Sequence, residues 1–320
     1  MNEQPFMEVV VTEKRDEGTG VIVLTLARPD GQPLPAWRAG AHIAVRLSAS
    51  LLRHYSLCGD PAQRHHYRLA VLVTRHSRGA GEYLRQQVMP GQILAIGAPV
   101  TLFALQPQPY PALLLAGGIG ITPLLPMALT LARQGRPYRL HYFGRPDTLS
   151  AFDLQETWRE IAPAISVHHQ APADPRGLLA RWLRHVGRSA IYLCGSQPFT
   201  AQVRDVCARH GVADEDLHYE LFTPPALAQA GTFIVQLHPS GQRVAVTGEQ
   251  TIVEALSLAG IETETACGIG VCGTCQARVV RGTPDHRDNY LTPAEKQQND
   301  RILLCCSRAR SPEIVIELQD

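Results

Sequence analysis

The sequence has almost no net charge, no long apolar run, no internal repeat and no low-complexity tract. Each absence removes a class of function. Its 30 Lys and Arg residues stand against 29 Asp and Glu, a formal charge of +1. No bulk electrostatic case exists for a nucleic acid or a membrane surface as partner. No apolar stretch reaches the roughly 18 residues that suggest a transmembrane helix. The start, Met1-Asn-Glu-Gln-Pro-Phe6, lacks the basic and apolar segments of a secretory signal. The expectation is a cytoplasmic monomer without membrane or nucleic-acid contacts.

What is present is cysteine. Eight cysteines in a reducing compartment argue for metal ligation rather than disulfides. Cys267-Gly-Ile-Gly-Val-Cys272-Gly-Thr-Cys275 has the spacing C-x4-C-x2-C, and further cysteines follow at Cys305-Cys306. This is the plant-type pattern of a [2Fe–2S] cluster. Such a cluster needs four thiolates around a small inorganic core, and three close cysteines let one loop wrap it. Gly268, Gly270 and Gly273 remove side chains where the backbone must approach, and can take positive φ. Zinc fits less well, because structural zinc favours paired cysteines or Cys/His sets and no second C-x-x-C follows Cys275. Cys267, Cys272 and Cys275 are expected ligands, and the residues alone leave Cys305 and Cys306 both open as the fourth. Cys58, Cys194 and Cys207 read as small buried hydrophobes.

A chain of 320 residues is long for one domain. Residues 1–103 alternate short apolar runs (7–12, 21–26, 42–47, 67–74, 93–96) with turn signals. That predicts antiparallel strands in a small barrel, with one helix at 82–88. Residues 104–226 alternate strands (112–116, 138–143, 164–169, 190–194, 217–221) with helices (123–134, 151–161, 177–186, 198–210). That predicts a parallel sheet with helices on both faces. Thr223-Pro-Pro-Ala-Leu-Ala-Gln-Ala-Gly231 reads as a linker. Residues 227–320 predict a hairpin (233–238 and 243–247), a helix (252–259), the cysteine loop, and strands at 276–280 and 313–318.

Two upstream motifs carry chemistry. Arg53-His54-Tyr55-Ser56-Leu57 ends a strand-like run in the first region. Arg53 can grip a phosphate bidentately. Tyr55 offers a flat face and a hydroxyl, and Ser56 can hydrogen-bond a flavin ring atom. Ser77-Arg78-Gly79-Ala80-Gly81-Glu82-Tyr83-Leu84 reads as a glycine turn opening a helix. Free N–H groups there, with Arg78, suit a phosphate.

Leu113-Leu-Leu-Ala-Gly117-Gly118-Ile119-Gly120-Ile121-Thr122-Pro123 follows the first strand of the second region. Its glycines allow a dinucleotide pyrophosphate to sit close to a helix N-terminus. The run is G-G-x-G-x-T-P rather than G-x-G-x-x-G, and its α/β context is what gives it weight. Leu193-Cys194-Gly195-Ser196 ends a later strand and should line the same crevice. Cys194 is there either a neighbour of the nicotinamide or a plain buried thiol. Asp174 suits ribose hydroxyls and repels a 2′-phosphate, so NADH is expected over NADPH, against the opposite pull of Arg145 and Arg176.

Together these motifs resemble the phthalate dioxygenase reductase family, which includes the vanillate demethylase reductases. The resemblance runs along essentially the whole chain in the order flavin, nicotinamide, ferredoxin. It matches the family's Arg-x-Tyr-Ser-Leu to residues 53–57 and its Gly-Gly-Ile-Gly-Ile-Thr-Pro to residues 117–123. It matches a Cys-Gly pair to Cys194-Gly195, a flavin-facing aromatic to Phe222, and an Asp-His-Arg-Asp stretch to Asp285-His286-Arg287-Asp288. The implied fold is multidomain: an antiparallel β-barrel flavin domain, an α/β parallel-sheet nucleotide domain and a C-terminal β-grasp plant-type ferredoxin domain. The implied cofactors are FMN rather than FAD, a [2Fe–2S] cluster, and NADH as substrate. Cys305 becomes the implied fourth ligand and Cys306 the spare. Relatives commonly carry Ser in the phosphate turn where this chain has Gly81, so backbone N–H groups, Arg53 and Arg78 must hold the phosphate. Ala70, Val71 and Leu72 would face the flavin through backbone groups, and Ser56, Thr122 and Phe222 would lie at the ring. The implied activity passes electrons from NADH through FMN and the cluster to a Rieske-type terminal oxygenase or demethylase of an aromatic or related substrate. Two other readings are a reductase for a separate ferredoxin or P450, and a non-enzymatic flavin/iron–sulfur redox sensor.

Overall fold

The computed structural model describes residues 6–16, 20–48, 51–73, 80–144, 158–168, 175–222, 231–248, 250–265, 268–270, 272–288 and 290–318. The chain forms two compact units, Met1–Phe222 and Thr223–Asp320.

The first unit begins with strands β1 (Met7–Asp16), β2 (Val21–Ala27), β3 (Ala41–Ser48), β4 (Leu51–Ser56), β5 (Tyr67–Leu72), β6 (Ile93–Ile96) and β7 (Val100–Thr101). They run β4-β3-β6-β1-β2-β5, with β7 on β3. All pairs are antiparallel. A bridge between Leu57 and Leu69 joins the two ends, so the sheet is a nearly closed barrel. Side chains alternate across each strand. Ile22, Leu24, Ile43, Val45, Leu69 and Val71 fill the inside. Val21, Val23 and Ala70 point outward and join a second core. The helix expected at 82–88 is α1 (Ala80–Gln86). Lys14 Nζ donates to the carbonyls of Arg85 (2.6 Å) and Val88 (2.8 Å). A cation at the C-terminal end of α1 satisfies carbonyls that the helix itself cannot.

A parallel sheet follows: β8 (Ala112–Gly117), β9 (Tyr138–Phe143), β10 (Ile165–His168), β11 (Ala190–Gly195) and β12 (Leu217–Leu221), in the order β10-β9-β8-β11-β12. Its helices are α2 (Ile121–Arg133), α3 (Arg176–Val186) and α4 (Gln197–Arg209). Leu114, Ala116, Tyr192 and Cys194 face α2 and the outer wall of the barrel. Leu113, Leu115, Ile191 and Leu193 face the other way, in the core that contains side chains of α3 and α4. Helix α2 starts before Pro123 because a short 3-10 turn, Gly118–Gly120, already begins the winding. Of the helix expected at 151–161, residues 151–157 lie outside the described residues and 158–161 form a turn.

The two sheets share one apolar layer, since Val21, Val23, Ala39, Cys58, Ala70 and Phe103 pack in the same cluster as α2. An ion pair adds to it: Arg133 at the end of α2 grips both oxygens of Asp60, at 2.8 and 3.0 Å. That layer draws residues from both sides of the predicted boundary at 103/104, while the barrel interior and the far face of the parallel sheet keep cores of their own.

The second unit contains β13 (Phe233–Leu237), β14 (Arg243–Val246), α5 (Ile252–Leu258), β15 (Gln276–Arg281), β16 (Pro284–Asp285), α6 (Pro293–Gln298), β17 (Arg301–Leu303), β18 (Arg308–Ala309) and β19 (Glu313–Leu318). The main sheet runs β14-β13-β19-β15-β17, with β13 and β19 parallel. Ile252, Ala255 and Leu256 of α5 pack into its core, which makes a β-grasp. Arg308 is buried and donates to three carbonyls, Gln250 (2.8 Å), Gly231 (2.9 Å) and Thr247 (2.9 Å). Most of the expected linker, 223–230, lies outside the described residues. Among the described residues, no helix is long and apolar enough to cross a membrane.

Candidate functional site

The first site forms where β4 and β12 meet. The register places Ser56 opposite His42, and Arg53 opposite Val45. Residues 51–55 are all half-buried in a strand that is otherwise part of the barrel wall. Ser56 Oγ donates to Glu220 Oε2 at 3.5 Å, both groups being buried. Cys194 lies opposite Glu220 in the β11–β12 register. A serine of the barrel, a thiol of β11 and a carboxyl of β12 thus converge in the first unit. Burial pushes the Glu220 carboxyl up to about 8, with the Ser56 hydroxyl opposing. Burial also raises the Cys194 thiol well above its ordinary range, and the nearby Glu220 adds to this. Cys194 is therefore a buried neutral thiol rather than a nucleophile.

Glu220 escaped the sequence analysis. The available signal was a lone carboxylate in the strand-like run His218-Tyr-Glu-Leu-Phe222, since a buried acid without a charged partner is rare outside functional sites. Its titration has a consequence for stability. Between the ordinary carboxyl value of 4.5 and about 8, the folded protein holds a proton that the unfolded chain releases. Stability should therefore fall as pH rises through that window. Glu220→Gln is expected to flatten this fall, measured as the difference in unfolding midpoint between the two ends of the window. An undiminished difference would place the linked proton elsewhere.

The groups expected to hold a flavin fit that task in part by what they lack. His54 Nδ1, His54 Nε2 and His42 Nδ1 are buried with no hydrogen-bond partner among the described residues. The two rings lie 5.1 Å apart. Burial depresses His42 to about 4, and burial with His42 beside it depresses His54 to about 3. Burial raises the Tyr55 hydroxyl to about 12, opposed by Arg53. Orphaned polar atoms facing a half-covered strand suit a polar cofactor laid against it. Ala70, Val71 and Leu72 pair with Val23, Ile22 and Val21 along one edge. On the other edge of β5, the bridge at Leu69 comes just before them. Ala80 and Gly81 are buried at the start of α1, while Arg78 and Gly79 lie outside the described residues.

The nucleotide crevice is built by close backbone approach. A Cβ on Gly120 would lie 2.2 Å from the Cys194 carbonyl oxygen, and one on Gly117 would lie 3.0 Å from Phe199. Gly195 is equally confined, with Phe199 at 2.9 Å and Gly117 Cα at 3.1 Å. Gly118 has φ of 54°, which favours glycine. These residues sit at the carboxyl ends of β8 and β11, where the sheet order reverses and a dinucleotide binds in open α/β sheets. Thr122 is buried and its hydroxyl donates to the Ile119 carbonyl at 3.0 Å, which fixes the glycine turn. Ile119 and half-buried Phe222 pack against the core shared with the barrel, and Pro123 is buried in the first turn of α2. Leu57 is fully buried in the barrel core. Arg145 and Asp174 lie outside the described residues, and Arg176 opens α3.

The cysteine site occupies the second unit. The Cys305 N–H donates to Cys275 Sγ at 3.4 Å. A hydrogen bond with Cys305 lowers the Cys275 thiol, burial opposing it. Cys272 Sγ contacts Thr274 Oγ1 at 3.2 Å. Gly268, Gly270 and Gly273 have φ of 67°, 76° and 80°. Cβ atoms on Gly270 and Gly273 would meet Cys306 Sγ and Tyr290, each at 2.4 Å. Thiols on a glycine loop that admits no side chains suit a compact cluster of iron and sulfide. The Cys306 sulfur lies beside Gly270, while Cys305 hydrogen-bonds the Cys275 thiol. Cys267 lies outside the described residues.

Residues 235–310 match the family described as the 2Fe-2S iron-sulfur cluster binding domain. The whole chain is similar to a vanillate O-demethylase oxidoreductase of a Pseudomonas strain, 38% identical over 98% of this chain and 100% of that protein. The chain belongs to this family of oxygenase reductases. A carnitine monooxygenase reductase subunit of Escherichia coli is 33% identical, over 99% of this chain and all of that one. Among solved structures, phthalate dioxygenase reductase aligns with a TM-score of 0.75 at 30% identity, covering 99% of each chain. That structure is described as modular, for electron transfer from pyridine nucleotides to [2Fe–2S]. The present member is accordingly an oxidoreductase, with a barrel, a parallel-sheet layer and a C-terminal ferredoxin-type domain.

Proposed function

We propose that this reductase takes electrons from NADH, passes them through FMN to a [2Fe–2S] cluster, and delivers them to a Rieske-type terminal oxygenase. A flavin held here would supply the chemistry that links a two-electron hydride donor to a one-electron acceptor. The protein's part is to bind, align and shield. Arg53 and the start of α1 hold the FMN phosphate, Tyr55 lies against the ring, and His54 supplies ring nitrogens still without partners. Ser56 is held at the ring by Glu220, whose neutral carboxyl avoids a buried charge beside the nicotinamide. Gly117, Gly118 and Gly120 admit the pyrophosphate at the start of α2. Gly195 and Cys194 would wall the nicotinamide side, and Phe222 would cover the flavin ring and yield to nicotinamide. Cys267, Cys272, Cys275 and Cys305 hold the cluster. Thiols committed to iron suit the reducing cytoplasm, and we take the protein to act there as a monomer.

The observation that carries this reading is the Ser56–Glu220 contact beside Cys194, because it joins the flavin strand to the nucleotide sheet. Anaerobic titration of the purified holoprotein with NADH tests it, followed by visible absorbance and EPR. One flavin and one plant-type cluster should both become reduced. A bound flavin and cluster that NADH leaves oxidised would favour a redox sensor instead. Relatives that serve vanillate and carnitine systems have unlike organic substrates, so the oxygenase rather than this chain sets the substrate.

A further inference from the structure

Asp285-His286-Arg287-Asp288 plays no part in the electron path outlined above, yet it lies against the cluster loop. The Asp288 side chain is fully buried. Its Oδ2 accepts from the N–H groups of Leu291 (2.8 Å) and Tyr290 (3.2 Å). Its Oδ1 accepts from Ser307 Oγ at 3.5 Å and has His286 Nδ1 at 3.7 Å. Lys296 Nζ stands 3.7 Å from Oδ2 and also donates to the Asp288 carbonyl at 2.5 Å. Both oxygens accept hydrogen bonds, Oδ2 from two backbone N–H groups and Oδ1 from a hydroxyl.

The position of this carboxylate is the point. Ser307 lies two residues past Cys305, so Oδ1 touches the turn that bears the fourth ligand. The Asp288 Cα would lie 3.0 Å from a Cβ on Gly270, between Cys267 and Cys272. Tyr290, held through its N–H, covers Gly273, between Cys272 and Cys275. One side chain therefore braces the ligand turn, the first half of the cluster loop and, through Tyr290, its second half. It also places a buried carboxylate against the loop that carries the cysteines. Lys296 is the nearby cation, but its side chain is 29% exposed and so screened by water.

We infer that Asp288 is a positioning residue for the cluster, bracing its cradle and lowering its reduction potential by a buried charge. Adding an electron next to a fixed negative charge is unfavourable, and net charge is among the levers that set such potentials. The inference rests on the cysteine assignment given above. Asp288→Asn keeps an oxygen acceptor and removes the charge. Lys296→Gln removes the partly exposed counter-charge and keeps a side-chain N–H donor for the Asp288 carbonyl.

The test is an EPR-monitored redox titration of each holoprotein, with the flavin midpoint as internal reference. Asp288→Asn should raise the cluster midpoint by at least tenfold in the redox equilibrium, about 59 mV for a one-electron couple. Lys296→Gln should move it the opposite way. Midpoints unmoved in both variants, or moved in the same direction, would overturn the inference. Should Asp288→Asn hold no cluster, an unmoved Lys296→Gln midpoint overturns it alone. A wild-type protein without cluster absorbance would instead refute the ligand assignment.

Discussion

Cys305→Ser is expected to strip the [2Fe–2S] signal from the protein and abolish reduction of one-electron acceptors such as cytochrome c. NADH should still bleach the flavin, because that chemistry belongs to the first unit. The expectation follows from geometry. Cys305 is buried, its N–H meets Cys275 Sγ at 3.4 Å, and its side chain also hydrogen-bonds the Cys275 thiol, so its sulfur shares a site with a second predicted ligand. Cluster-dependent turnover should drop by more than about 100-fold, beyond the roughly 10- to 100-fold cost of losing an outer partner of a metal site. Cys306→Ser is the opposing case. Its sulfur sits under Gly270, with only long contacts to the Leu303 carbonyl (4.0 Å) and Ser307 Oγ (3.8 Å). That variant should keep cluster absorbance, EPR and cytochrome c reduction, with at most a modest packing loss. The reverse pattern would move the fourth ligand to Cys306 and leave the rest of the electron path unchanged.

Gly120→Ala should cost nearly as much, at the other end of the path. The added methyl would lie 2.2 Å from the Cys194 oxygen, 2.4 Å from its carbonyl carbon and 2.7 Å from Gly195 N. All three are backbone atoms of the interior strand β11, and a strand hydrogen-bonded on both sides cannot swing aside. Overpacking of this kind costs about 1–3 kcal/mol, and much of it would be relieved by opening the crevice between β8 and β11. NADH affinity should fall by roughly tenfold or more, since each factor of ten is about 1.4 kcal/mol. The unfolding midpoint should fall with it, while FMN binding at the barrel is retained. Gly177→Ala is the control. It lies in α3 with nothing within 4 Å of the new methyl, and should change neither quantity. Unchanged NADH affinity in Gly120→Ala would remove this turn from the nucleotide site.

Much of the architecture could be read from spacing. Strands 93–96, 138–143, 217–221 and 313–318 match the observed bounds, since β-branched and aromatic runs between turn residues have few other outcomes. The helix at 293–298 was missed although Thr292-Pro-Ala-Glu295 signals it. In the structure the Glu295 N–H reaches Thr292 Oγ1 at 3.3 Å, and the Thr292 N–H reaches Glu295 Oε2 at 2.8 Å. The short ladder of β16 and β18 had no such signal, because two-residue strands are set by their partners rather than by local pattern.

By itself, then, the sequence determined which loops can wrap a cluster, a phosphate or a pyrophosphate. Those properties depend on residues a few positions apart, whose geometry is limited by covalent spacing and by glycine's conformational freedom. Tertiary structure alone decided which distant groups meet. Ser56 and Glu220 are 164 positions apart, and only the stacking of the barrel on the parallel sheet makes them neighbours. Cys305 and Cys306 are adjacent in sequence, and only the fold brings one to the Cys275 thiol and the sulfur of the other beside Gly270. Asp288 acquires three roles at once for the same reason. A buried carboxylate must find donors, and those donors come from segments that only the packed core brings together.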